Sequence, residues 1–165
     1  MKPWILIIGM WFLTDWAYAT ELKVDVKGAP ADIAKIMKVI PGVQKVLNSP
    51  EFKLKVLAAK YTTTKDSPEI IYNKIMIPTW NLFYQLQLKK SWNGRCPVLG
   101  WTYPSTKVVW FNSCNFRGRS ETGLAGTICH EQMHKLGYDH KTAKDSQSVP
   151  YSIGNICSEL YGKIK

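Results

Sequence analysis

The sequence predicts a small single domain of the α+β class, in which helices pack on a twisted mixed sheet, and three observations carry that prediction. Apolar residues recur at helical spacing through the first half of the chain. Between about residues 80 and 112 they alternate with polar ones or gather in aromatic and β-branched runs, and helical spacing then returns. The 165 residues lie in the range where one core buries roughly two-thirds of the unfolded surface.

The chain begins with Lys2 and an apolar run from Trp4 to Leu13, followed by polar Thr14 and Asp15. Ala17-Tyr-Ala19 then has the small-x-small form of a signal-peptidase site. Residues 1–19 are expected to be an export signal and residues 20–165 the folded domain, periplasmic or secreted. The apolar run is well short of the ~20 residues a helix needs to cross a bilayer. No second long apolar stretch follows, so the domain is not expected to span a membrane.

Residues 21–28 alternate apolar and charged with period two and end at Gly28, as a half-buried strand does. From Ala31 to Leu47 the set Ile33, Ile36, Met37, Ile40, Val43, Val46 and Leu47 has helical spacing across Pro41-Gly42, giving one kinked helix or two short ones. Ser49-Pro50-Glu51 and Ser67-Pro68-Glu69 each place a cap, a first-turn proline and an early acid before an apolar stripe, and both mark helix starts. After Pro78, Leu82, Tyr84, Leu86 and Leu88 alternate with Phe83, Gln85, Gln87 and Lys89, predicting a strand with one wet face. Residues 98–103 and 108–112 read as strands joined by turn chemistry at Pro104-Ser-Thr-Lys107, a hairpin. A closing helix is expected over Pro150 to Tyr161, with Ile153, Ile156, Cys157 and Leu160 on one side.

The formal charge is +10, but the bases are scattered, with no stripe, basic helix or finger spacing. Nucleic-acid binding is therefore not expected, and the charge fits a basic soluble surface with at most a loose attraction to anionic surfaces. Four cysteines, Cys96, Cys114, Cys129 and Cys157, follow the export signal. An even number in an oxidising compartment implies disulfides, and three pairings are open. Cys96 with Cys114 and Cys129 with Cys157 is the favoured set: the first would staple neighbouring strands, the second would tie the last helix to the helix described next.

That helix carries His130-Glu131-Gln-Met-His134-Lys-Leu-Gly137-Tyr-Asp-His140, the pattern H-E-x-x-H-x-x-G-x-x-H. Residues four apart share a helix face, so His130 and His134 can present imidazoles to one metal with Glu131 beside them. Gly137 lets the chain leave through a left-handed turn, and the chain then returns with His140 as third ligand. Three protein ligands leave one position open, as in a catalytic zinc site. The chain has three histidines, and all of them occupy ligand positions. The expected cofactor is one Zn²⁺, with Glu131 as general base in the hydrolysis of a peptide or protein substrate by a monomeric enzyme. Substrate is expected to add as a strand along an exposed edge formed by Val108, Val109, Trp110, Phe111 and Asn112.

The extended histidine motif resembles the metzincin metallopeptidases, and residues 98–157 are similar to small exported bacterial metallopeptidase-like proteins. Gly100-Trp-Thr-Tyr-Pro104 ahead of the motif and Val149-Pro-Tyr-Ser-Ile-Gly154 after it carry that similarity. The resemblance implies a zinc endopeptidase with a metzincin-like fold, a zinc-binding active-site helix and a short C-terminal helix. The chain departs from the family in having no methionine after Met133. Ile153 stands where an apolar floor under the metal is expected. Tyr151 is a candidate for a fifth ligand or for transition-state contact, with packing the stronger reading. The alternative function is a catalytically silent, zinc-stabilised binding protein of the cell envelope.

Overall fold

In the computed structural model, residues 20–87, 95–96, 98–103, 105–140 and 145–164 are described, and the expected export signal lies outside them. Among the described residues the elements are β1 (Glu21–Lys27), α1 (Pro30–Leu47), α2 (Pro50–Ala58), α3 (Pro68–Ile75), β2 (Thr79–Gln87), β3 (Gly100–Thr102), β4 (Val108–Asn112), α4 (Ser113–Phe116), α5 (Glu121–Lys135) and α6 (Val149–Lys163). Six helices with a four-stranded mixed sheet meet the α+β expectation.

The sheet order is β1-β2-β4-β3. β1 runs parallel to β2 and β2 parallel to β4, whereas β3 is antiparallel to β4. Parallel neighbours need a long crossover, and α1, α2 and α3 provide it between β1 and β2. The register sets Leu22 beside Trp80, Val24 beside Leu82, and Val26 beside Tyr84 and Val109, which form the inner face. On the other face Lys23, Asp25, Asn81 and Gln85 are exposed.

This topology corrects one expectation. Val108–Asn112 is β4, hydrogen-bonded to β2 on one side and to β3 on the other, so it is not an edge. Val109, Phe111 and Asn112 are buried. Among the described residues the outermost strand on that side of the sheet is β3.

α1 is one continuous helix with Pro41 inside it, and it buries Ile36, Val39, Ile40, Val43, Val46 and Leu47. The two serine caps form as expected: Ser49 Oγ accepts from the Phe52 amide at 3.1 Å and Ser67 Oγ from the Ile70 amide at 3.4 Å. No described helix is long and apolar enough to cross a membrane.

α5 and α6 cross at two glycines. A Cβ on Gly126 would lie 2.8 Å from the Gly154 carbonyl oxygen, and one on Gly154 would lie 2.9 Å from that of Gly126. Only residues without side chains let two helix backbones approach so closely. The Cys129–Cys157 disulfide ties the same pair of helices. Cys96–Cys114 is also formed; it joins the segment ahead of β3 to α4 rather than two strands.

Candidate metal centre

Ser120 starts α5, its Oγ accepting from the Gly123 amide at 3.1 Å, and the helix carries His130, Glu131 and His134 before ending at Lys135. The exit is a Schellman turn: Gly137 N–H donates to His134 O at 3.1 Å and Tyr138 N–H to Met133 O at 3.0 Å. Gly137 has φ +89°, the one positive φ among the described residues, so the glycine is required where the motif places it. Three residues later the chain delivers His140.

The three histidines converge. One ring nitrogen from each of His130, His134 and His140 lies within 4.8 Å of the other two, a group that could hold a metal ion. Their ring centroids are 5.0–5.5 Å apart. The donor set fits a metal in a second respect. His134 Nδ1 is 2.8 Å from the Tyr138 carbonyl, and the His130 ring bonds the backbone of Pro150. A nitrogen that donates to a carbonyl fixes the tautomer and leaves the other nitrogen bare for a metal. Burial drives both rings toward the neutral form that ligates. The His130 pKa is pushed down to about 3 by burial and then by the neighbouring His134 and His140, and burial also lowers that of His134.

Glu131 is 5% exposed. Its carboxylate lies against β3, where a Cβ on Gly100 would be 3.1 Å from Oε1. Burial lifts its carboxyl to about 7, opposed by the charge of Lys135. Behind it the Tyr84 hydroxyl is buried with no hydrogen-bond partner among the described residues, and burial and the Glu131 charge raise its pKa. Tyr151, on α6, packs its ring 4.7 Å from that of His130 and 5.0 Å from that of His140. Ile153 is fully buried two residues on. Gly100, His130, Glu131, His134, His140 and Tyr151 line one cleft of about 900 Å³, which is walled by β3, α5 and α6 and the loop from Gly137 to His140.

Sequence reasoning missed three parts of this site. Gly100 brings an edge strand against Glu131, and an isolated glycine in a strand run is the recognised sign of such close approach. The Tyr138 carbonyl orients His134, a backbone role that no side chain announces. Arg119 lines the far end of the cleft, and nothing in the sequence separates it from the other bases. Among family models, curated proteins and solved structures, no match to this chain is found.

Proposed function

We propose that the protein is a zinc-dependent peptidase of the metzincin type, hydrolysing a peptide bond held in the cleft between β3 and α5. The observation that carries this reading is the convergence of three histidine nitrogens on the wall of an open cleft, with the Glu131 carboxylate in the same cleft one residue from His130. His130, His134 and His140 would hold the metal. A zinc ion bound there supplies Lewis acidity toward a carbonyl and lowers the pKa of water. Glu131 takes a proton from the attacking water and returns it to the leaving amine, so that the acyl carbon gains hydroxyl and the nitrogen gains hydrogen. β3, outermost on its side among the described strands, offers main-chain groups to an extended peptide. Tyr151 packs its ring against His130 and His140, and contact of its hydroxyl with the developing oxyanion is part of the proposal.

The test pairs metal stoichiometry on the purified protein with cleavage of a mixed peptide library by wild type and Glu131→Gln. One zinc per chain and cleavage that disappears in Glu131→Gln are expected. Zinc binding without Glu131-dependent cleavage would leave a zinc-stabilised binding protein instead, and absence of zinc binding would end both readings.

A further inference from the structure

The cleft extends past the histidines toward the start of α5, where its character changes. Arg119 is the one lysine or arginine among the described residues lining it. The side chain is half-buried and pinned: Nε donates to the Gly123 carbonyl at 2.8 Å. A Cβ at position 123 would lie 3.2 Å from Nε, so the glycine makes room for the guanidinium to lie along the helix. Its terminal nitrogens have no hydrogen-bond or ion-pair partner among the described residues. Burial depresses its pKa, but an arginine so placed remains a cation. Asn115, Asn155 and Ser158 share this end of the cleft, which has no acidic lining residue; Glu131 and Asp139 lie at the other end. A guanidinium held by Nε with its terminal nitrogens directed away from that bond has the fork geometry to take a carboxylate in two parallel hydrogen bonds.

We infer that Arg119 binds a carboxylate of the substrate, two to three residues C-terminal to the bond that is cut. Distance and direction both follow from the fold, and the inference rests on the peptidase reading above. Gly123, which anchors Arg119, is seven residues before His130 on α5, a rise of about 10 Å. An extended peptide advances roughly 3.3 Å per residue, so about three residues bridge that distance. β3 runs in the same sense as α5: Gly100 lies against Glu131, and the Tyr103 carbonyl accepts from Lys135 Nζ at 3.3 Å. A peptide added antiparallel to β3, the more stable pairing, enters past Lys135 and carries its C-terminal side toward Arg119. The carboxylate can come from the peptide's own C-terminus, giving release of a di- or tripeptide, or from an aspartate or glutamate side chain within a longer chain. Both present the same planar pair of oxygens.

The test measures binding to the zinc-loaded full chain carrying Glu131→Gln, so that no turnover intervenes. Three labelled hexapeptides are compared: a neutral one with a free C-terminus, the same peptide amidated, and an amidated one with glutamate in its last three residues. The free acid, the glutamate peptide or both should bind about 10- to 100-fold more tightly than the neutral amide, the range of a hydrogen bond to a charged group. Whichever gains affinity names the source of the carboxylate. Adding Arg119→Gln should remove that gain while leaving zinc stoichiometry and the affinity of the neutral amide unchanged, and Arg119→Lys should restore part of it. Equal binding of all three peptides, or an Arg119→Gln effect as large on the neutral amide, overturns the inference. Amidation removes the same contact without altering the protein, so poor folding of a variant does not shield the idea. If zinc-loaded wild type cleaves neutral amides as fast as acids, the peptidase stands and the carboxylate subsite falls. If it cleaves nothing while the binding difference persists, the reverse holds.

Discussion

His134 Nδ1 lies 2.8 Å from the backbone carbonyl of Tyr138, four residues on, so the turn that ends α5 also aims one of the three converging imidazoles. The Tyr138 side chain is held in turn, its hydroxyl donating to Asp66 Oδ2 at 2.8 Å. Asp66 also takes a 2.7 Å bond from Lys74, whose ammonium sits 5.2 Å above the Tyr138 ring. Nearby, Thr63 Oγ1 donates to the Asp139 carbonyl at 3.0 Å and the Thr62 amide to that of Gln147 at 3.2 Å. The segment between α2 and α3 thus braces the loop that carries His140, although neither touches a ligand ring.

Tyr138→Phe keeps the ring in the core and removes only the bond to Asp66. The variant should fold and retain one metal per chain, with affinity lowered about 10-fold, the lower end of what the loss of an outer-shell partner costs. Competition against a chromophoric chelator measures this. Unchanged affinity would mean that the Gly137 turn positions His134 and His140 unaided.

The same contact sets a pH dependence. Hydrogen bonds from Lys74 and then from Tyr138 hold the Asp66 carboxyl below its ordinary range. A carboxyl with a folded pKa below its unfolded one favours folding when ionised. That contribution is whole above the unfolded value of about 3.9 and is lost as pH falls through the lower folded value. The stability difference between wild type and Asp66→Asn should therefore be constant at neutral pH and shrink on acidification below about pH 4. Urea denaturation across that interval reads it directly, and a difference that persists into strong acid would contradict the assignment.

Elements whose signal is local were legible from sequence. The serine caps at Ser49 and Ser67, the period-two pattern of β1 and the glycine at position 137 each stand where the residues indicate. The histidine cluster was legible for the same reason, since helical spacing and one turn bring its members together. What escaped was non-local. Val108–Asn112 and Gly100–Thr102 both read as strands, and which of them lies outermost depends on β2 pairing across a long connection. The unbroken apolar run Val108-Val-Trp-Phe111 speaks of burial on the two faces of a strand and not of neighbours at its two edges, so it could not decide the order. The length of α4, four residues, gave no periodicity to detect.

The glycine crossing of α5 and α6 predicts a sharp contrast between two substitutions. In Gly154→Ala the new methyl would meet the Gly126 carbonyl oxygen at 2.9 Å and the His130 Cβ at 3.1 Å. Backbone on one side and the packed His130 on the other leave little to yield, so a loss of about 1–3 kcal/mol is expected from overpacking, together with weaker binding of the proposed metal as His130 is displaced. At Gly118 a Cβ meets nothing within 4 Å, and Gly118→Ala should change stability by no more than about 0.5 kcal/mol. Thermal and chemical denaturation of the pair, with metal titration of each, tests the crossing. Equal tolerance at both positions would show that the helices can separate without cost.

The two disulfides differ less in the loops they close, 18 and 28 residues, than in where they lie. Loop-closure entropy assigns each about 3–4 kcal/mol, too close to rank them. Exposure ranks them instead: Cys129 and Cys157 are 0% and 1% exposed between α5 and α6, whereas Cys114 is exposed and Cys96 half-buried. Exchange requires a thiolate to reach sulfur. Mild reductant followed by alkylation should therefore label Cys96 and Cys114 while the fold and metal binding persist. Cys129 and Cys157 should resist until the protein unfolds, because opening them requires α6 to lift from the helix that holds His130 one residue away. Early labelling of Cys129 in folded, metal-binding protein would show that α6 separates from α5 without disturbing the site, and would remove the structural reason for placing Tyr151 beside His130.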